Sequence, residues 1–159
     1  MTEILIREYV SEDRLAVEKC IFELQEDSYK AQPHFWAKPE GVLGLYLEKV
    51  LESKDKKEGK IFVGVLEGKT VGWAVVGIVN LDNAPDIVLK RYGYIPELSV
   101  MRDFHGRGVG RALLDKAEEY LRSKGITWIQ LDVNKGNSAL EFYKKCGYQE
   151  RSIKLEKKL

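Results

Sequence analysis

The sequence predicts an α/β domain in which helices cover both faces of a central mixed β-sheet. Segments with strand and helix periodicity follow one another in the order βααβββαβαβ. The composition, with 44% hydrophobic and 32% charged residues, is that of a globular chain, and 159 residues are enough for one ordinary core. We therefore expect a single domain over residues 1–159.

The first part of the chain predicts one strand and two helices. Residues 3–9 alternate between apolar and polar side chains, as a half-buried strand does. Ser11 is a suitable N-cap for a helix that continues to about Lys30. A loop bracketed by prolines, residues 32–39, then leads into a second helix over roughly 40–57.

The middle of the chain predicts three consecutive strands. Residues 61–66 and 71–79 flank a turn at Gly68, which indicates an antiparallel hairpin. A longer loop, residues 80–91, leads into a strand that ends at Val100.

The remaining elements alternate between helix and strand. A helix with one apolar stripe follows the fourth strand and stops at Gly125. Residues 126–133 predict a strand, and a short helix after it ends at Gly147. The alternating segment 148–159 predicts a last strand, and its exposed apolar edge suggests a homodimer paired across a two-fold axis.

Charge and hydropathy limit the partners. The formal net charge is +1, so no large field favours nucleic acid or an anionic membrane. No apolar run approaches membrane-spanning length, and the N-terminus lacks a basic region followed by an apolar one. We therefore expect a cytoplasmic protein that binds neither nucleic acid nor membrane.

Cysteine and histidine usage argues against metal chemistry. Cys20 and Cys146 fall on apolar positions of predicted helices, which indicates buried free thiols rather than a disulfide or a metal site. With only two histidines and no clustered ligands, no metal site is predicted.

The stretch from Tyr94 to Arg111 carries the clearest functional signal. It reads Y-I-P-E-L-S-V-M-R-D-F-H-G-R-G-V-G-R, a strand that runs into a glycine-rich turn and then a helix. Pro96 lies inside the strand and cannot donate to a ladder, which predicts an edge or a bulge there.

Three glycines on alternate positions form the turn. Without Cβ atoms, Gly106, Gly108 and Gly110 allow successive backbone N–H groups to converge on one spot, at which the next helix points its positive dipole end. Three arginines surround the turn: Arg102, Arg107 and Arg111. A pyrophosphate would fit there.

The glycine spacing excludes two common phosphate loops and resembles a third. A P-loop needs Gly-Lys-Ser/Thr, but Gly110 is followed by Arg111 and Ala112. The dinucleotide fingerprint has glycine spacings of two and three near the start of a domain, whereas both spacings here are two. Gly108 and Gly110 match R/Q-x-x-G-x-G/A, the pyrophosphate loop of the GNAT superfamily of acyl-CoA N-acyltransferases, which this stretch resembles. The first motif position is His105 instead of Arg or Gln.

Two further segments resemble the same superfamily. Leu98-x-Val100 resembles the end of its fourth strand, and V-N-K-G-N-S-A-L-E-F-Y-K-K-C-G-Y, residues 133–148, resembles its N-x-x-A-x-x-F-Y-x-x-x-G-F segment. Asn137 lies six residues before Tyr143, where the superfamily usually has seven, so either the turn is one residue shorter or the residue before Asn137 takes the asparagine position.

The resemblance implies a fold and a cofactor site. The sheet would be mostly antiparallel, with the fourth and fifth strands splayed apart at the glycine-loop end, and acetyl-CoA would lie in that cleft as co-substrate. A backbone N–H near residues 98–100 would polarise the acetyl carbonyl. The residues implied in cofactor binding are Leu98, Ser99, Val100, Arg102, His105, Gly106, Arg107, Gly108, Val109, Gly110, Arg111, Asn137 and Tyr143.

Acetyl transfer to an amine needs a base and an acid. An alkyl ammonium has a pKa near 10.4 and must lose a proton before it attacks. Glu97 is the first candidate base, since its parity differs from that of Leu98 and Val100, and Asp132 on the facing strand is the alternative. By resemblance Tyr143 would protonate the leaving thiolate, although it also lies on the apolar face of its helix and could be a core residue.

Acceptor specificity is expected from residues 25–38 and 80–92, which the superfamily's architecture places over the far end of the cleft. Candidate side chains there combine acidic and aromatic groups, which suits a cationic amine: Glu26, Phe35, Trp36 and Asp82. Polyamines, aminoglycosides, amino acids, lysine side chains and protein N-termini all remain open. A non-catalytic acyl-CoA sensor or interaction module on the same fold is the alternative function.

Overall fold

The computed structural model describes residues 2–159 and contains one five-stranded sheet in the order β1-β2-β3-β4-β5. Neighbouring strands are antiparallel except β4 and β5, which are parallel. The strands are β1 Ile4–Glu8, β2 Lys60–Leu66, β3 Lys69–Asn80, β4 Arg91–Val100 and β5 Ile129–Gln130. The helices are α1 Arg14–Ala31, α2 Leu45–Ser53, α3 Val109–Ser123 and α4 Ala139–Lys145. The predicted mixed α/β fold is confirmed.

Helices cover both faces of the sheet, and each face has its own core. On one face, α3 buries Leu113 and Leu114 against the sheet together with Tyr143 of α4. On the other face, α1 and α2 bury residues such as Val17 and Leu47 around Trp73. Because side chains alternate along a strand, each residue of β4 belongs to one of these two layers.

Strand β4 contains the bulge that Pro96 predicts. Glu97 pairs with Val75 and Tyr94 pairs with Gly77, so Ile95 and Pro96 together oppose a single residue of β3. Pro96 is exposed and has no N–H to donate, which explains why the ladder is interrupted at this point.

The predicted gap between β4 and β5 is also confirmed. The two strands pair only at Gly93–Ile129 and Tyr94–Gln130, whereas β4 continues to Val100. In the part of the chain that the structure describes, β4 beyond the bulge therefore pairs with β3 alone, and its backbone groups that point away from β3 face an open cleft.

Three predicted elements differ from the structure. The second helix is confined to Leu45–Ser53, the fifth strand keeps only Ile129–Gln130 because its continuation diverges from β4, and the strand predicted over 148–159 is not formed. An extended segment becomes a β-strand only when its backbone pairs with a neighbouring strand, and an exposed segment without one bonds to water instead. Within residues 2–159 this segment has none, and Ile153 and Leu155 are 85% and 88% exposed.

A buried carboxylate ties β1 to α1 and β3. Asp13, which is 4% exposed, accepts two hydrogen bonds from the Arg7 guanidinium at 2.7 and 2.9 Å. It also accepts bonds from the Thr70 hydroxyl at 2.6 Å and the Val10 N–H at 3.0 Å. The hydrogen bonds from Arg7, above all, lower the pKa of Asp13 to about 2.

Replacing Asp13 by asparagine should therefore destabilise the fold. The ionised group contributes stability above the unfolded-state pKa near 3.8, and that stability is lost as the pH falls through about 2. The difference corresponds to about 2 kcal/mol of unfolding free energy at pH 7. Urea unfolding at pH 7 measures the loss, with the exposed Glu12→Gln as control. Equal midpoints for Asp13→Asn and the parent protein would contradict this prediction.

Candidate active site

The bulge turns Glu97 towards the α1–α2 face of the sheet. Two residues further on, Ser99 has the same parity, and its hydroxyl accepts a 3.1 Å hydrogen bond from the indole N–H of Trp73 in that core. Leu98 and Val100 pack on the opposite face, against the α3 core. The predicted difference in facing between Glu97 and its two apolar neighbours is confirmed.

The Glu97 carboxylate lies in an apolar environment at the cleft. Its Oε2 accepts a 3.0 Å hydrogen bond from the Tyr46 hydroxyl, while its Oε1 is buried and has no partner within residues 2–159. Burial raises the pKa of Glu97 to about 7, and the hydrogen bond from Tyr46 opposes that rise. A carboxyl with this pKa can take up and release a proton at neutral pH.

Sequence reasoning missed Tyr46. It lies in α2 with buried Leu47 and Val50, and its apolar spacing resembles that of an ordinary core residue. The one available signal was chemical, because a phenol on an apolar face needs a hydrogen-bond partner. The partner lies 51 residues away in sequence, which no local pattern reveals.

Tyr143 is buried on the α4 side of the sheet. It is 8% exposed, and its ring contacts Phe142 and Tyr148 edge-on, with centroid separations of 5.1 and 5.6 Å. Burial chiefly, with a contribution from the charge of Glu97, raises the pKa of Tyr143 to about 12. Its hydroxyl therefore carries a proton at neutral pH and has no acceptor in the part of the chain that the structure describes.

Asp132, the alternative base, has a different environment. It is exposed, and its Oδ2 accepts a 2.8 Å hydrogen bond from the Tyr94 hydroxyl. Burial, followed by this bond, raises the pKa of Tyr94 to about 12, so the phenol remains a donor. Glu97 and Asp132 thus each have a tyrosine partner, but only Glu97 has a buried, unpartnered oxygen among the described residues.

The glycine-rich turn presents a row of backbone donors. Gly106 and Gly108 have φ angles of 74° and 88°, which glycine adopts without strain, and α3 begins immediately afterwards. Over residues 2–159, no protein acceptor receives a hydrogen bond from the N–H groups of residues 106–111. Successive N–H groups without a protein acceptor, at the start of a helix, are an arrangement that can bind a phosphate group.

The arginines around the turn are engaged by carboxylates. Arg107 pairs with Glu67 and lies over the Phe104 ring, and Arg111 pairs with Asp115 at 2.8 Å. These pairs are exposed and can rearrange at low cost.

Arg102 is directed to α1. Its guanidinium donates to Glu26 at 2.8 Å and to Asp27 at 2.7 Å, and its backbone N–H donates to Glu23. Arg102 was predicted to bind phosphate and Glu26 to bind the acceptor amine, but the structure pairs them with each other. This contact fixes the end of β4 to α1.

His105 and Asn137 make local contacts, one next to the glycine-rich turn and the other at the start of α4. A ring nitrogen of His105 lies 2.7 Å from the Val100 carbonyl oxygen, and the backbone N–H of His105 donates to the Arg102 carbonyl oxygen. Neither the imidazole nor this backbone N–H is therefore directed at the N–H groups of residues 106–111. The Asn137 side chain accepts a 2.9 Å bond from the Ala139 N–H at the start of α4. Asn137 therefore helps to place the helix that carries Tyr143.

The other three predicted acceptor residues, Phe35, Trp36 and Asp82, lie on two loops. Phe35 is 65% exposed and packs edge-on against Trp36 at 5.0 Å, while Asp82 is exposed. The Trp36 indole N–H is buried with no partner among the described residues. His34 contacts Glu156 at 3.0 Å, so the C-terminal segment lies against the first of these loops.

Two structural features are absent from residues 2–159. No cluster of three or more His, Cys, Asp or Glu side chains there could hold a metal ion, and no helix is long and apolar enough to cross a membrane. Both thiols are free, with Cys20 buried and Cys146 half-buried.

Comparison with known families gives one match that covers most of the chain. The family model described as "Acetyltransferase (GNAT) family" matches residues 16–148. An uncharacterized N-acetyltransferase of Methanocaldococcus jannaschii is 37% identical over 101 residues, which are 62% of this chain and 42% of that protein. A second one from the same organism is 26% identical over 152 residues, which are 94% of this chain and 81% of that protein. The chain thus spans less than half the length of the first of these relatives.

Solved structures agree on the fold. A mutant of a Bacillus halodurans protein superimposes with a TM-score of 0.88 at 24% identity, covering 98% of this chain and 99% of that one. A GCN5-related N-acetyltransferase from Ralstonia eutropha gives a TM-score of 0.74 at 16% identity and covers 99% of both chains. At these identities the likeness concerns the fold alone.

Proposed function

The chain belongs to the acetyltransferase (GNAT) family, and from that premise we propose that it is an acyltransferase, which moves an acetyl group from acetyl-CoA to a primary amine within a ternary complex. The observation that carries this proposal is a row of six backbone N–H groups at the open end of the β4–β5 cleft that have no acceptor within residues 2–159. Their geometry suits the pyrophosphate of coenzyme A, and the cleft leads from them towards Glu97.

Binding would rely mainly on backbone groups. The N–H groups of residues 106–111 would hold the pyrophosphate, and those of residues 98–100 that point into the cleft would bind the thioester arm. Arg107 and Arg111 lie on the same turn and would add charge after exchanging their present partners. His105 and Asn137 would stabilise this site indirectly, through their contacts with Val100 and with the start of α4.

The reaction would need two proton transfers by this chain. The Oε1 of Glu97 would accept a proton from the ammonium group, which frees the amine lone pair. Bound acetyl-CoA supplies the acetyl thioester, whose carbonyl carbon bonds to the amine nitrogen as the carbon–sulfur bond breaks. Tyr143, which is protonated at neutral pH, would give its proton to the leaving thiolate, and the second proton that the nitrogen loses as it becomes an amide would restore the phenol. Asp132 remains the alternative base.

Calorimetric titration with acetyl-CoA, followed by a thiol-release assay on a panel of amines, tests the proposal. Binding together with amine-dependent thiol release is expected. A non-catalytic acyl-CoA sensor, which the His105 substitution and the short Asn137–Tyr143 spacing favour, would bind acetyl-CoA without release. A folded protein that binds no acetyl-CoA would contradict both functions.

Replacing Tyr143 by phenylalanine should lower kcat about 10²-fold, which is typical for loss of a general acid. The dissociation constant for acetyl-CoA should change little, because the ring is kept. Steady-state kinetics and calorimetry measure the two quantities, and Tyr148→Phe is the matched control because its hydroxyl contacts Glu118 instead. Full activity of the Tyr143→Phe variant would show that Tyr143 is not the general acid.

The acceptor would be a cationic amine. Glu97 has no cationic partner within the described residues, and Phe35 and Trp36 pack edge-on against each other in the loop that the sequence assigns to acceptor binding. The amine panel should therefore include polyamines, aminoglycosides, amino acids and peptides with free N-termini. The free thiols of Cys20 and Cys146 are consistent with a cytoplasmic location, which fractionation of producing cells would test.

We also propose that two copies pair through their C-terminal segments. Residues 148–159 alternate like a strand, and among the described residues none pairs with the outer edge of β5, to which an extended segment could add. Replacing both Ile153 and Leu155 by aspartate should then convert a dimer into a monomer. Light scattering at micromolar concentration measures the mass, and a monomeric parent protein would exclude the pairing.

A further inference from the structure

The Tyr46–Glu97 contact joins α2 to the bulged strand beside the cleft. The phenol oxygen of Tyr46 lies 3.0 Å from Oε2 of Glu97. Its neighbours Leu47 and Val50 are buried in the α1–α2 core, so the helix is fixed relative to the sheet. A donor on such a fixed helix restricts where the carboxylate can point.

The two carboxylate oxygens are therefore not equivalent. Oε2 is occupied by Tyr46, whereas Oε1 is buried and free of any partner in residues 2–159. A buried acceptor without a partner is costly and is expected where a substrate will supply the donor. We propose that Tyr46 is a positioning residue that holds Glu97 so that Oε1 is the oxygen which accepts the proton of the acceptor amine, an inference that rests on the proposed acetyl transfer.

The groups around Glu97 indicate that Tyr46 is the residue that positions its carboxylate. The titratable groups close enough to be influenced by the charge of Glu97 are Tyr46 from α2, Cys20 from α1 and Tyr143 from α4. Burial raises the pKa of each of them above its ordinary value, so all three are neutral at pH 7. Among the described residues, Tyr46 alone donates a hydrogen bond that stabilises the ionised form of Glu97.

Tyr46→Phe removes the hydroxyl and keeps the ring. Since a hydrogen bond to a charged group favours its ionised form, the pKa of Glu97 should rise by about one to two units. Carboxyl ¹³C NMR titration of the free protein measures that pKa, with the Glu97 signal assigned by its absence in Glu97→Gln. This readout needs no turnover, so failure of the inference is distinguishable from failure of the proposed function.

The pH profile of kcat/KM provides a second readout. Its acidic limb should move to higher pH by the same amount, which makes the loss about tenfold at pH 6.5 and smaller above pH 9. Tyr94→Phe is the matched comparison, because it removes a phenol hydroxyl that contacts Asp132. That variant should leave the Glu97 titration unchanged.

Two results would overturn the inference. One is an unchanged pKa of Glu97 in a Tyr46→Phe protein whose circular dichroism shows a native fold. The other is an acidic limb that moves at least as far in Tyr94→Phe as in Tyr46→Phe, which would transfer the base role to Asp132. Tyr46→Leu provides a second side chain without a hydroxyl if the Phe variant fails to fold, and the same rise is expected for it.

Discussion

Replacing Glu97 by glutamine is expected to lower kcat/KM by about 10²–10⁴-fold, the usual cost of losing a general base. The side chain keeps its size, and its amide can still accept a hydrogen bond from Tyr46. What disappears is the group that takes the ammonium proton at neutral pH. Steady-state kinetics at pH 7.5 measures the loss, and the residual rate should rise at high pH, where the free amine is more abundant.

The same substitution should stabilise the folded protein at alkaline pH. Burial raises the pKa of Glu97 to about 7 from an ordinary value of 4.5. Below about pH 4.5, Glu97 is protonated in both the folded and the unfolded protein, and its burial as a charge does not lower the free energy of unfolding. Between 4.5 and 7 the unfolded chain ionises first, so stability falls as pH rises, and the cost is complete above about 7. The shift corresponds to about 3 kcal/mol, which Glu97→Gln should recover at pH 8.

Opposite changes in activity and stability distinguish a functional carboxylate from a structural one. A structural Glu97 would lose stability on replacement, as Asp13 is expected to do. Asp132→Asn is the control, because that carboxylate is exposed and should affect stability little. An active Glu97→Gln beside an inactive Asp132→Asn would assign the base to Asp132, and a lower unfolding midpoint for Glu97→Gln at pH 8 would contradict the stability argument.

Features that depend on local chain chemistry were predictable from the sequence. Pro96 cannot pair in a strand, and the structure has its bulge there. The glycines of the turn permit the left-handed φ angles that the loop adopts at Gly106 and Gly108. The facing of Glu97 followed from strand parity alone, although its position beside the cleft came from the family resemblance.

Features that depend on contacts between distant side chains were not predictable. Arg102 and Glu26 lie 76 residues apart in sequence and looked like two separate binding groups, but in the structure they form one ion pair. Tyr46 looked like core because periodicity reports which face a residue occupies and nothing about the polar group at its tip. The C-terminal segment has the alternation of a strand, but alternation cannot show whether a neighbouring strand exists.

The glycine-rich turn allows an equally sharp test of acetyl-CoA binding. Gly106 has a φ of 74°, and a Cβ atom there would meet nothing within 4 Å. Gly108 is a poorer target, because it immediately precedes α3 and its added Cβ would contact Ile4 at 3.5 Å. Gly106→Glu should place a carboxylate beside the six donors, where it competes with the pyrophosphate and repels it. We expect the dissociation constant for acetyl-CoA to rise at least about 100-fold.

Gly125, at the far end of α3, supplies the matched control. Its φ is 73° and its Cβ position is also open, so Gly125→Glu carries the same backbone strain of about 1–2 kcal/mol and the same added charge. Both variants should unfold at similar denaturant concentrations, and only Gly106→Glu should lose binding in calorimetric titration. Equal affinities of the two folded variants for acetyl-CoA would show that the pyrophosphate does not bind at this turn. Because strain, charge and side-chain volume are matched, a difference in affinity between them can arise only from where the carboxylate lies.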